Sequence, residues 1–137
     1  MSERWRVRGI RGAITVPRND AQDIIDATYE LVTEIMQRNA VDPEEIASVI
    51  FTVTPDLDAA FPAVGGRKAG LSAVPLICAT EIPVPGGQAR CVRVLMHVNT
   101  TKSQAEIQHV YLGEAGALRP DLCSGPAGNG EAKEVRE

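Results

Sequence analysis

Hydrophobic positions along the chain switch between a period of two and a period near 3.6, and the switches mark its elements. Residues 5–16 alternate β-branched and small apolar positions with others until Pro17, which predicts a first strand. Asn19 or Asp20 stands where a helix cap belongs, and Ile24, Ile25, Thr28, Leu31, Val32, Ile35 and Met36 recur at helical spacing through Arg38. One stripe of that helix packs on a sheet, while Asp23, Asp26, Glu30, Glu34 and Gln37 face water. Asp42-Pro43-Glu44-Glu45 predicts a short helical turn, and residues 47–54 a strand apolar enough to be covered on both faces. Residues 58–70 read as a weaker helix that Pro62 and Gly65-Gly66 interrupt, hence an irregular or mobile segment. Strands at 75–82 and 91–99 flank a turn at Pro85-Gly86-Gly87. Residues 104–108 form one helical turn, and 110–118 a last strand with Gly113 and Gly116 at a bend or close approach.

Five strands, one long helix and shorter helical pieces describe an α+β or mixed α/β domain over residues 1–122. Residues 123–137 are rich in Gly, Ser and charge, with too little apolar content to order themselves, and read as a flexible C-terminal tail. A single small core makes oligomerisation the expected source of additional burial.

Strand parity singles out one arginine. Arg4, Arg6 and Arg8 share a parity and are expected to look outward, whereas Arg11 has the parity of Val7 and Ala13 and is a candidate inward charge. In the fourth strand Val92, Val94, Met96 and Val98 occupy one side, so Arg93 belongs to the other with Cys91, Leu95 and His97. Such an apolar strand is central, and an Arg there requires an anionic partner, either a carboxylate such as Glu81 or Asp121 or a bound ligand. Glu81 is the matching oddity on the third strand, open to roles as a structural partner, an acid or base, or an acceptor for a substrate hydroxyl. Alternation puts Cys78 and Glu81 on opposite faces, so a pocket using both needs the strand to end or bulge between them.

Composition narrows the classes. The net charge of −4 does not seek nucleic acid or an anionic membrane, and no apolar run approaches a membrane span. The first residues carry charge without an apolar block after them, which makes a cytoplasmic location the expectation. Cys78, Cys91 and Cys123 lack disulfide or ligand spacing, and His97 and His109 lack a third partner, so no metal is expected. Eleven of the fourteen basic residues are Arg, which suits bidentate contact with carboxylates and also follows from base composition alone. With no nucleophile–base pair and no phosphate loop in view, an Arg-rich pocket suggests a reaction promoted by electrostatics and positioning.

Five blocks carry a resemblance. Arg8-Gly-Ile-Arg-Gly-Ala-Ile-Thr-Val16, Thr54-Pro-Asp-Leu-Asp-Ala-Ala-Phe-Pro-Ala63, Val74-Pro-Leu-Ile-Cys-Ala-Thr-Glu81, Gly86-Gly-Gln-Ala-Arg-Cys-Val-Arg93, and His109-Val-Tyr-Leu112 with Leu118-Arg-Pro-Asp-Leu122 resemble, in order and spacing, the monofunctional chorismate mutases of the AroH class. The resemblance implies a homotrimeric pseudo-α/β barrel with active sites at subunit interfaces, acting on chorismate without metal or organic cofactor. It further implies that Arg11, Cys78, Glu81, Arg93, Tyr111 and Leu118 come from one subunit. Phe61, Ala63 and Arg67 would come from its neighbour, with Arg119 near the mouth. Two departures stand out: Val64 replaces a family Lys, and the segment between Ala63 and Pro75 is one residue shorter. A deaminase of similar trimeric shape and a non-catalytic metabolite sensor are the competing readings; the sequence blocks of the former are missing.

Overall fold

Residues 4–118 are described in a computed structural model of the chain; the expected tail, Leu118's side chain, Arg119 and Asp121 lie outside the described residues. The first strand, β1 (Arg6–Thr15), runs antiparallel to β4 (Cys91–Thr100) through ten residue pairs, from Arg6↔Thr100 to Thr15↔Cys91. On its other side β4 pairs antiparallel with β2 (Ile46–Val53), with a register shift between Ile46 and Ser48. Parallel edge strands complete the sheet: β3 (Leu76–Thr80) on β2 and β5 (Val110–Leu112) on β1. The order β3-β2-β4-β1-β5 makes β4 the middle strand, as its apolar run predicts, and the mixed five-stranded sheet with its long helix is the expected class.

Helix α1 (Ala21–Asn39) begins on Asp20, whose carboxylate accepts from the Asp23 N–H, and ends where Ala40 turns left-handed at φ 53°. Its buried stripe of Ile24, Ala27, Thr28, Leu31, Val32 and Ile35 covers one face of the sheet, meeting Ile10, Ile14, Val49, Phe51, Val92, Val94 and Met96 in one core. Gly12 belongs to this face, where a Cβ would stand 2.7 Å from Ile35 Cδ1 and 3.1 Å from Leu31 Cδ1.

Only one face is covered this way. Alternation sends Arg11 and Ala13 of β1, Ile50 and Thr52 of β2, and Arg93, Leu95 and His97 of β4 to the opposite side. The parity argument therefore separates Arg11 correctly but misnames the sides. Arg8 shares the helix side with Ile10 and is held there by its Nε donating to the Lys102 carbonyl at 3.0 Å, while Arg11 projects from the face opposite α1. Apolar residues on that face form a row across three strands, Ile77↔Ile50↔Leu95, that ends at Arg11, the β1 partner of Leu95. Cys91, Ala13, Tyr111 and Ala115 form a small buried cluster beside it.

Two expectations are corrected. The segment 58–70 is not broken at its glycines: a short helix, α2 (Ala63–Gly66), starts after Pro62 and runs through Gly65 and Gly66, both buried, into a wider turn at Arg67–Leu71. The missing side chains let α2 approach α1, since a Cβ on Gly65 would lie 2.5 Å from the Ile25 carbonyl oxygen and one on Gly66 2.7 Å from Phe51 Cζ. The backbone leaves the helical region at Gly70 instead, with φ 113°. The last strand is also shorter than expected, because Gly113 at φ 63° turns the chain from β5 into a 3₁₀ turn over Gly113–Leu118.

Gly65→Ala is expected to destabilise the fold by about 1–3 kcal/mol, because the clash is with rigid backbone rather than a movable side chain; urea unfolding of the variant measures it. A second expectation concerns Cys91. Burial pushes its thiol up to about 11, against the opposing pull of the Arg93 charge. At pH 8 only about one thiol in a thousand is then ionised. In a Cys123→Ser background, native protein treated with a disulfide reagent at pH 8 should keep Cys91 unmodified while urea-unfolded protein is labelled fully, as read by peptide mass.

Candidate active site

The uncovered face of the sheet holds a concavity of about 300 Å³ lined by Arg11, Gly12, Ile50, Thr52, Glu81, Arg93, Val94, Leu95 and Tyr111. Its layout follows from register. Arg93 lies between Thr52 of β2 and Ala13 of β1, and Ala13 in turn is opposite Tyr111 of β5. A methyl group between Arg93 and Tyr111 leaves the space that a larger residue would fill. Arg11 sits two pairs further along, opposite Leu95, so the two arginines rise diagonally from neighbouring strands, with backbones about 7–8 Å apart.

Glu81 reaches the same space from beyond the end of β3. Its N–H still donates to the Val53 carbonyl at 2.8 Å, which keeps the parallel register for one residue after the strand ends and leaves the carboxylate on the uncovered side. There its Oε2 accepts from the Thr52 hydroxyl at 2.6 Å and lies 3.4 Å from Arg93 Nη1. Both side chains are 23% exposed, so this is a partly desolvated ion pair braced by a hydroxyl rather than a surface pair. Glu81 is thus a carboxylate that the fold brings to Arg93, as the sequence suggests; Asp121, the other one named there, lies outside the described residues.

The start of β4 is fixed by a second anion. Asp56 accepts from the Arg90 N–H at 3.0 Å and from the Thr54 hydroxyl, and Thr54 Oγ1 accepts from the Cys91 N–H at 3.0 Å. These contacts hold Arg90 at φ 46°, a left-handed conformation unusual for Arg, three residues before Arg93. Burial alone would raise the Asp56 carboxyl, but the bonds from Thr54 and Arg90 outweigh it and leave it below its ordinary 3.8. The stabilisation is therefore present above that value and is lost as pH falls through the lowered one.

Of the residues singled out from sequence, Arg11, Glu81, Arg93 and Tyr111 meet in one pocket. Tyr111 is both a packing residue and part of the cavity wall, since it is 5% exposed in the Cys91 cluster and still borders the cavity. Cys78 is a correction: paired with Phe51, it lies half-buried against the core on the helix side, because alternation keeps it off the face that Glu81 occupies. β3 ends at Thr80, between the two, yet the pairing continues to the Glu81 N–H, so alternation still holds them on opposite faces. Phe61 is 72% exposed and Arg67 exposed, both away from this chain's own pocket, while Ala63 is buried in α2. Sequence reasoning missed Thr52, Ile50, Leu95 and Gly12; Thr52 carries no signal of its own, because its importance comes from standing beside Arg93 in the ladder.

Among the described residues no three His, Cys, Asp or Glu side chains gather as metal ligands, and no helix is long and apolar enough to cross a membrane.

Comparison with known proteins identifies the family. Residues 7–122 match the family described as chorismate mutase type I. The chorismate mutase AroH of Thermus thermophilus is 51% identical over 119 residues, covering 86% of this chain and 98% of that protein. The Bacillus subtilis AroH is 43% identical over 117 residues, covering 85% and 92%. A solved chorismate mutase from Clostridium thermocellum superposes with a TM-score of 0.79 at 48% identity, covering 81% of this chain and 99% of that one. With a family match across most of its length, two relatives at 51% and 43% identity and a solved fold-mate, this chain belongs to the type I chorismate mutase family.

Proposed function

We propose that the chain isomerises chorismate to prephenate, on the route towards Phe and Tyr, by binding the substrate in the Arg11–Arg93 pocket and completing that pocket with residues of a neighbouring subunit. As a family member it is a chorismate mutase, an isomerase. The observation that carries the site assignment is that Arg11, Arg93, Glu81 and Tyr111, scattered over a hundred residues of sequence, line one cavity on the face opposite α1.

The rearrangement breaks a C–O bond while a C–C bond forms, and negative charge grows on the ether oxygen. Arg93, anchored by Glu81 on the middle strand, is the donor aimed at that oxygen; its fork is preorganised before substrate arrives. Arg11 takes a carboxylate, with Tyr111 bonding in the same region, and Glu81 receives the ring hydroxyl, which favours the reactive pseudo-diaxial form. No covalent intermediate, metal or organic cofactor enters this scheme. Proton transfer is equally unnecessary, since one C–O bond is exchanged for one C–C bond and no bond to hydrogen is made or broken.

Charge and shape support a trimer with shared sites. Among the described residues this chain supplies two cations and one anion to the cavity, a net of one positive charge for a doubly negative substrate, so a further cation has a clear place. Arg67 and Phe61 are exposed and remote from their own chain's pocket, which suits delivery to a neighbour's, and Ala63 sets the position of the segment that carries them. The apolar row Ile77–Ile50–Leu95 also needs covering. Leu118 and Arg119 are proposed as the border of the mouth, and residues 1–122 as one domain. Free thiols at Cys78 and Cys91 suit a reducing compartment, and the cytoplasm is the proposed location.

Purified protein should consume chorismate, followed in the ultraviolet, with unchanged rate in a metal chelator; binding without turnover would instead support a sensor. Arg93→Lys should lower kcat by about 10²–10³-fold, because a point charge cannot reproduce the planar fork at the ether oxygen. Arg11→Ala should chiefly raise KM, by about tenfold or more, as expected for losing a charge-assisted bond made in ground and transition states alike. Light scattering should give a mass three times the 14.7 kDa of one chain.

A further inference from the structure

We propose that His109 is a positioning residue of the pocket, its neutral imidazole serving as a surrogate backbone acceptor that seats Arg11 and Tyr111 relative to each other. The proposal rests on the reading of those two residues as substrate ligands.

The need for such a device comes from the shortness of β5. Tyr111 is carried by an edge strand of three residues, paired in parallel with β1 only from Gly12↔Val110 to Ile14↔Leu112. One position before that ladder begins, the Arg11 N–H points towards the incoming chain and finds His109 Nδ1 at 3.0 Å in place of a carbonyl oxygen. The side chain thus extends the pairing by one rung.

That bond fixes the ring's chemistry. A backbone N–H is a donor and nothing else, so Nδ1 is the acceptor, and the proton of the neutral ring sits on Nε2. A protonated imidazole would oppose one N–H with another. The residue whose backbone is held is Arg11, which sends its guanidinium into the cavity, and the residue two places after the ring is Tyr111, which borders the same cavity. One side chain therefore ties the backbone under the first ligand to the strand that carries the second.

The ring is itself aimed from behind. Asn39, 2% exposed at the end of α1, brackets the preceding residue: its Oδ1 accepts from the Gln108 N–H at 2.7 Å and its Nδ2 donates to the Gln108 carbonyl at 2.8 Å. The same Nδ2 donates to the Ile35 carbonyl at 2.9 Å, which locks the amide to the helix. The chain entering β5 is thus pinned to α1 at residue 108 and to β1 at residue 109, and Arg11 and Tyr111 inherit their separation from those two attachments.

Asparagine places Oδ1 where the imidazole has Nδ1 and keeps the acceptor; leucine keeps the bulk and removes it. His109→Leu should raise KM for chorismate about tenfold while kcat moves less, whereas His109→Asn should stay within about threefold of wild type in both. Nitrogen NMR of histidine-labelled wild-type protein without substrate, assigned by the signal missing from His109→Asn, should show Nδ1 unprotonated and Nε2 protonated. A protonated Nδ1, a folded leucine variant with unchanged KM, or an asparagine variant as impaired as the leucine one overturns the proposal. If the leucine variant does not fold, the asparagine kinetics and the spectrum decide. Wild-type protein inert towards chorismate would overturn the substrate reading instead, a result distinct from any of these.

Discussion

A guanidinium group on the middle strand of a sheet is strongly unfavourable unless something anionic meets it, and the arrangement around Arg93 follows from that requirement. The strand is held on both sides by ladders, so the group cannot escape to an edge. Its side chain points away from the apolar core of α1, and on that face Glu81 comes to within 3.4 Å, held by the Thr52 hydroxyl. The pair leaves a cavity beside it rather than closing over it. A second anion entering that cavity meets a donor already oriented, so little reorganisation remains for the reacting complex.

The sheet's asymmetry is what makes this possible. One face is sealed by α1, with glycine at position 12 so that the helix lies close, and by α2, whose paired glycines bring it against α1 and Phe51. The other face keeps charges next to an uncovered apolar row, a combination a lone domain does not normally present to water. The proposed trimer, with that face shared between copies of the chain, would reconcile the two by burying the apolar positions and bringing a further cation to the cavity. Ala13 contributes by being small, since its neighbours Arg93 and Tyr111 face each other across it.

Precision at the cavity comes from contacts outside it. Asp56 holds Arg90 in its left-handed turn and so sets where β4 begins, while Asn39 and His109 set where β5 begins. Each is a polar side chain bonded to main-chain groups, which fixes strand starts that short pairings alone would leave loose.

Local patterning was enough to determine the strand–helix order, the α1 stripe and its Asp20 cap, the central place of β4 and the separation of Arg11 and Arg93 from their apolar neighbours, because period and capping are properties of adjacent residues. The five motif blocks carried the family. Patterning misjudged Gly65 and Gly66, since a glycine that breaks a helix and one that admits a neighbouring helix look alike until the partner, here the Ile25 carbonyl, is in place. It overran β5 because Gly113 ends the strand by a backbone angle that alternation does not encode. Which side of the sheet Arg11 faces, that Thr52 braces Glu81, that Cys78 turns to the core and that His109 accepts from Arg11 were decided by tertiary structure alone: each depends on which strand lies alongside, and register between strands distant in sequence is set by packing, not by any local run of residues.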